Sequence, residues 1–267
     1  MVGGKTLSEK ISALAAYEKV MLALSMLGFS FLVIDPMVLG VARKIDPDAR
    51  RFFQVLTMVG KSNWILISSG LLILLFTWMR ANQIGRRRYA GYGLAQQLFM
   101  FLFATVALSG IASSLIKNIL GRARPKYFDQ LGSLDFQPFT FEYGFAAFPS
   151  GHATTAGALA GVLAIIWPCA RAPLFIAAAW VASSRFLIGA HYFSDTVAGC
   201  AFGLAFAYFM RDRLAVRGWL FRKHEDGSIK LRGRRLLHSG SRAFMSHLDG
   251  FAGSVHERFT PDKTPRQ

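Results

Sequence analysis

GLAQQLFMFLFATVALSGIASSLI, residues 93–116, runs for 24 residues without a charged side chain, and Lys117 closes it. A helix rises ~1.5 Å per residue, so about 20 apolar residues cross the hydrocarbon core of a bilayer. Lipid offers no hydrogen bonds, so the backbone of such a run must satisfy itself, which a helix does. Five further apolar stretches, residues 20–41, 63–79, 152–168, 172–190 and 193–210, have spanning length. No ten-residue alternation suggests a membrane β-barrel. The expectation is an all-α polytopic membrane protein whose six transmembrane helices form a bundle.

Composition agrees with this reading. The 267 residues are 53% hydrophobic with mean hydropathy +0.35, yet they carry 31 Lys and Arg against 15 Asp and Glu. A nucleic-acid binder is the usual alternative for a net charge of +16, but it leaves the long apolar runs unexplained. Apolar spans with cationic flanks account for both. Cys169 and Cys200 stand apart in no motif, so neither a disulfide framework nor a zinc site is expected. Residues 1–19 lack a cleavable signal pattern. Thr6-Leu-Ser-Glu9 is a capping box opening a short helix to Lys19. The expected organisation is an N-terminal amphipathic segment, 1–19, a membrane domain, 20–210, and a basic tail, 211–267, which ends in disorder from Thr260 to Gln267.

Six spans put both termini on one side. With the termini inside, inner segments hold 21 Lys and Arg and outer segments nine. The strongest local inner marker is Arg86-Arg87-Arg88. This bias predicts cytoplasmic termini in the plasma (inner) membrane. The loop 117–149 and the turn between spans five and six then face the outside or periplasm.

Three short pieces converge on that outer face. Lys117-Asn-Ile-Leu-Gly-Arg-Ala-Arg124-Pro125 ends span three. Pro149-Ser150-Gly151-His152 begins span four. Ser184-Arg185, His191 and Asp195 join spans five and six. Lys117, Arg124 and Arg185 would repel one another unless an anion lay between them, and guanidinium forks match phosphate oxygens. Ser150 and Gly151 can add backbone N–H groups at a helix start, with Ser150 as a plausible N-cap. His191 can attack phosphorus to give a covalent intermediate. Asp195, four residues on, can hold the His191 tautomer. His152 can protonate the leaving oxygen and then activate water.

These pieces resemble the three-part signature of the type 2 phosphatidic acid phosphatase family: Lys, six residues, Arg-Pro; then Pro-Ser-Gly-His; then Ser-Arg, five residues, His, three residues, Asp. Every position and both fixed spacings match over residues 117–195. The resemblance implies a metal-independent lipid phosphatase with no cofactor. Lys117, Arg124, Ser150, Gly151 and Arg185 would bind phosphate. His152 would be the general acid, His191 the nucleophile and Asp195 its partner. Expected partners are a lipid phosphate and membrane lipids, not nucleic acid.

Candidate substrates are a lipid A phosphate, undecaprenyl pyrophosphate, phosphatidylglycerol phosphate and phosphatidic acid. The motif reads phosphate and leaves the lipid open. A lipid-to-lipid phosphotransferase would use the same residues. A vanadate haloperoxidase has a similar site but no apolar spans, and a lipid-binding protein would not need the His–Asp pair. A metal on His152, His191 and Asp195 is opposed by the neighbouring cations. Outside the signature, Asp35-Pro36 reads as a helix end in preference to a functional acid, Gly60-Lys61-Ser62 as a turn, and Arg122 and Lys126 as headgroup contacts or plain surface charge. Phe101, Phe103 and Leu108 are expected to face lipid, and the small residues from Ala156 to Gly161 to pack helices closely.

Overall fold

The computed structural model describes residues 15–233. The expected helix before residue 15 and the stretch from Thr260 to Gln267 lie outside the described residues. The described residues divide into two compact units, 15–74 with 99–211, and 75–98 with 212–233. Every candidate site residue belongs to the first.

Helices occupy all six expected stretches. Helix α1 (Ala16–Phe29) continues through a π-helical turn, Ser30–Ile34, into α2 (Asp35–Arg43). Asp35-Pro36 therefore does not end the first helix. Pro36 has no N–H to give and its ring crowds the preceding turn. The widened turn accommodates this, with the Asp35 N–H donating to the Ser30 carbonyl. It also leaves Asp35 buried on the same side as Leu39 and Ala42.

Helix α3 (Pro47–Leu56) starts at Asp46, whose carboxylate accepts from the Asp48 and Ala49 N–H groups. A 3-10 turn, Thr57–Gly60, leads into α4 (Ser62–Ala81). Helix α5 (Arg86–Leu120) is followed by the loop that carries α6 (Phe128–Leu131). Helices α7 (Gly151–Ile166), α8 (Arg171–Leu187) and α9 (Phe193–Val216) complete the helical part. Strands β1 (Phe221–Lys223) and β2 (Ile229–Leu231) pair antiparallel, Phe221 opposite Leu231.

Among the described residues, four stretches are long and apolar enough to cross a membrane: Met21–Arg43, Pro47–Ala81, Arg86–Leu120 and Phe193–Val216. Gly151–Ile166 is apolar but shorter. At ~1.5 Å per residue, α7 and α8 extend about 25 Å, a little under the hydrocarbon thickness.

Helix α7 is the centre of the first unit, with ten of its 16 residues buried. Ala156 and Ala160 pack on Ala178 and Val181 of α8, and Ala158 packs on Ile65 of α4 and Val106 of α5. Against α9 the approach is closer still. A Cβ on Gly157 would stand 2.0 Å from the Cys200 carbonyl oxygen, and one on Gly203 2.0 Å from that of Thr154. Small residues let these backbones touch, as the sequence predicts. Outward side chains such as Ile67, Leu71, Leu74 and Ile176 are more than 60% exposed, an apolar surface suited to lipid. Phe103 and Leu108 are also exposed, but Phe101 is turned into the core at 1%.

Candidate functional site

Helix α5 carries Lys117 in its last turn and ends at Leu120. Gly121 stops it in a left-handed conformation, φ 63°, its N–H donating to the Lys117 carbonyl. A side chain there would meet the Gln137 carbonyl, so only glycine allows the turn. The chain then runs extended through Arg122 and Arg124, with the Arg124 N–H donating to Gly144 and the Ala147 N–H to Arg122. This strip holds the loop 121–149 over the start of α7.

Ser150 stands at the N-cap of α7, and its N–H donates to the Asp195 carbonyl at 2.9 Å. That bond ties the second signature piece to the third. The Lys117 Nζ lies 3.6 Å from where a Cβ on Gly151 would be, so Lys117 reaches the start of α7. Arg124, Arg185 and Asp195 lie within electrostatic reach of Lys117. Arg185, His191, Lys117 and Lys61 lie within reach of His152. All eight candidates therefore meet in one place.

The cations are held from outside the signature. The Arg124 guanidinium lies over the Tyr143 ring, 3.7 Å from its centre, and donates to the Ala146 carbonyl. Arg185 donates to Thr57 Oγ1 at 2.9 Å. Arg124 Nε, Arg185 Nε and Ser150 Oγ are buried with no hydrogen-bond partner. Ser150 thus occupies the N-cap position without capping through its side chain. Unpaired buried polar atoms are costly unless a ligand satisfies them. These three, with the N–H groups that a helix start leaves without intrahelical partners, have hydrogen-bonding capacity that an anion could use.

His191 lies in the turn before α9 and is 3% exposed. Its Nδ1 is 2.8 Å from the Ala147 carbonyl oxygen and 3.6 Å from Asp195 Oδ2. Both neighbours are acceptors, so Nδ1 carries the proton and Nε2 keeps the lone pair. Asp195 faces the same ring nitrogen that it was expected to hold, but from farther away than a second acceptor. The Ala147 carbonyl makes the hydrogen bond, and Asp195 contributes its field from a longer distance. Burial pushes the imidazole pKa down to about 4, with Asp195 pulling the other way, so it is neutral near pH 7.

Asp195 is occupied elsewhere. Its Oδ1 accepts from Arg122 at 2.6 Å and its Oδ2 from the Tyr192 N–H at 2.8 Å. Arg122 is fully buried, so it is not a headgroup contact. It bridges Asp195 to Asp35, 2.7 Å away on the first helix. Sequence reading missed Asp35, Thr57, Arg122, Tyr143 and Ala147. Only Asp35 left a signal, as an acid inside an apolar span. Lys126 is exposed, as expected, and lies over the Tyr127 ring.

A groove of about 640 Å³ opens beside Gly151 and His152. Lys61, Asn63, Ser114 and Asn118 line its polar part, and Leu66, Val106, Ile111 and Leu115 its apolar part. An amphiphile with a polar head at His152 fits this gradient. Among the described residues, no group of three or more His, Cys, Asp and Glu is gathered as metal ligands would be.

The model of the PAP2 superfamily matches residues 98–218. A lipid A 1-phosphatase of Rhizobium johnstonii is 36% identical over 191 residues, which are 70% of this chain and 76% of that protein. A lipid A 1-phosphatase of Rhizobium etli is 37% identical over 179 residues, 65% of this chain and 75% of that protein. Among solved structures, a transmembrane PAP2-type phosphatidylglycerolphosphate phosphatase from Bacillus subtilis aligns with TM-score 0.51 at 17% identity. It covers 73% of this chain and 94% of its own, a likeness of fold.

Proposed function

Since the chain belongs to the PAP2 superfamily, we propose that it is an integral membrane phosphatase that hydrolyses a lipid phosphate through a phosphohistidine on His191. The observation that carries this is the trio of unpartnered buried atoms, Arg124 Nε, Arg185 Nε and Ser150 Oγ, with both arginines within electrostatic reach of a neutral imidazole. Together they fit a tetrahedral anion presented to a nucleophile. The two relatives named lipid A 1-phosphatases support a lipid A phosphate as the first candidate substrate. The amphipathic groove at His152 supports a lipid leaving group.

In the first step His191 Nε2 bonds to phosphorus while the bond from phosphorus to the lipid oxygen breaks. His152 gives its proton to that oxygen. Lys117, Arg124, Arg185 and the amides at the start of α7 stabilise charge on the phosphoryl oxygens, where it develops in the transition state. The phosphorylated imidazole keeps its Nδ1 proton on the Ala147 carbonyl, and the Asp195 carboxylate offsets the ring's positive charge. In the second step His152 takes a proton from water, the oxygen bonds to phosphorus, and the bond to Nε2 breaks. Inorganic phosphate leaves and both imidazoles return to their starting states.

The site lies at the outer face of the plasma membrane in this reading, with six crossings and both termini inside. The charge bias between segments supports it. The test is phosphate release by detergent-purified protein, with EDTA present, from a panel of lipid phosphates and pyrophosphates. Lipid A phosphate is the expected substrate, and His191→Ala and His152→Ala are expected to abolish release. Wild-type turnover by His191→Ala would refute the mechanism, and loss with EDTA would refute its metal independence.

A further inference from the structure

We propose that Asp35 and Arg122 are positioning residues for catalysis: they fix Asp195, and through it His191, so that the first membrane helix takes part in phosphoryl transfer. The inference rests on the His191 mechanism above. Every donor of Arg122 is used. Its Nε and one terminal nitrogen donate to the Ser133 carbonyl, at 3.1 and 2.8 Å. That same nitrogen donates to Asp35 Oδ2, and the other donates to Ser194 Oγ and Asp195 Oδ1. The guanidinium plane lies between the Phe31 and Tyr192 rings, 4.2 and 4.3 Å from their centres.

Asp35 is equally tied. Its Oδ1 accepts from the Ser194 N–H at 2.9 Å and its Oδ2 from Ser194 Oγ at 2.5 Å. Asp35, Arg122 and Asp195 are all 0% exposed. A lone helix–helix tie would not need a second carboxylate on the catalytic aspartate's own partner. Here Arg122 sits between two carboxylates, so its charge is shared. Asp195 keeps part of its field for His191, 3.6 Å away, and its carboxylate is held in one orientation. Removing the Asp35 charge concentrates Arg122 on Asp195 and weakens its support of the phosphorylated imidazole. Lys117, Arg124 and Arg185, which hold the phosphate, are not part of the network.

The decisive experiment measures kcat, KM and inhibition by inorganic phosphate for purified wild type, Asp35→Asn, Ser194→Ala, Asp195→Asn and the Asp35→Asn/Asp195→Asn double variant. The substrate is the panel lipid that the wild type hydrolyses, with His191→Ala alongside. Asp35→Asn should lower kcat by about 10–100-fold, as losses of groups that orient a reacting ligand do, with KM and phosphate inhibition unchanged. In the Asp195→Asn background the same substitution should cost nothing more, since its route to His191 is gone. Unchanged kcat in both Asp35→Asn and Ser194→Ala would overturn the inference, as would equal losses in both backgrounds. If Asp35→Asn does not fold, Ser194→Ala decides alone: a fall in kcat at constant KM supports the inference, and wild-type kcat overturns it. An active His191→Ala would instead defeat the mechanism on which the inference rests.

Discussion

Gly203→Ala is a one-carbon test of how the site is built. The added Cβ would lie 2.0 Å from the Thr154 carbonyl oxygen, 2.7 Å from the Ala158 nitrogen and 2.9 Å from the Thr154 carbonyl carbon. An ordinary carbon–oxygen contact is roughly 3.3 Å, so the shortfall is about 1.3 Å. All three obstacles are backbone of α7, and no rotamer change relieves them. Helices α7 and α9 must part by about 1 Å, near the upper end of the ~1–3 kcal/mol that overpacking costs. Thr154 is one turn from Ser150, and Asp195 is on the helix being pushed away. A shift of about 1 Å between such groups costs on the order of 10²-fold in rate. The expected result is a kcat about a hundredfold lower with reduced thermal stability in detergent. Gly40→Ala is the control, on an exposed face with no atom within 4 Å of its Cβ, and should leave activity intact. Wild-type kcat and stability in Gly203→Ala would refute the close-approach argument.

Three further predictions follow from the site and its orientation. In the proposed mechanism the neutral form of His191 is the nucleophile, and its pKa is lowered to about 4, so on the acid side activity is lost as pH falls through that value. With the substrate's own ionisation divided out, the acid limb of kcat/KM should lie well below the ordinary ~6.5, and a limb at that value would contradict the burial argument. The same shift makes the unfolded chain bind more protons between ~6.5 and 4, so stability should fall across that window on acidification. For topology, Cys169 is exposed between α7 and α8, at the end of α7 away from His152. A membrane-impermeant maleimide on intact cells should label Gln130→Cys and spare Cys169, and the reverse pattern would invert the orientation.

Much of this was legible in the sequence because its signals are local or fixed in spacing. Apolar runs of spanning length announced the helices. Lys117 to Asp195 carried the site, and the Ser150 N–H bond to the Asp195 carbonyl shows how closely the fold joins those pieces. What was missed depends on contacts far apart in the chain. Asp35 and Arg122 are 87 residues apart, and no periodicity links an acid in the first span to a cation after the third. Pro36 pointed toward a helix end, but a π turn absorbed it. The Ala147 carbonyl that orients His191 is backbone, so residue identity does not announce it. Phe101 shows the limit of hydropathy: an all-apolar span does not say which of its faces meets lipid and which meets α7.

The central claim is a covalent phosphate on His191, and rapid quenching tests it most directly. Purified protein turning over its labelled lipid phosphate would be stopped in alkali, digested and its peptides sequenced by mass spectrometry. The account predicts an alkali-stable, acid-labile phosphate on the His191 peptide during turnover and none in His191→Ala. Steady turnover with an unmodified His191 peptide would contradict it.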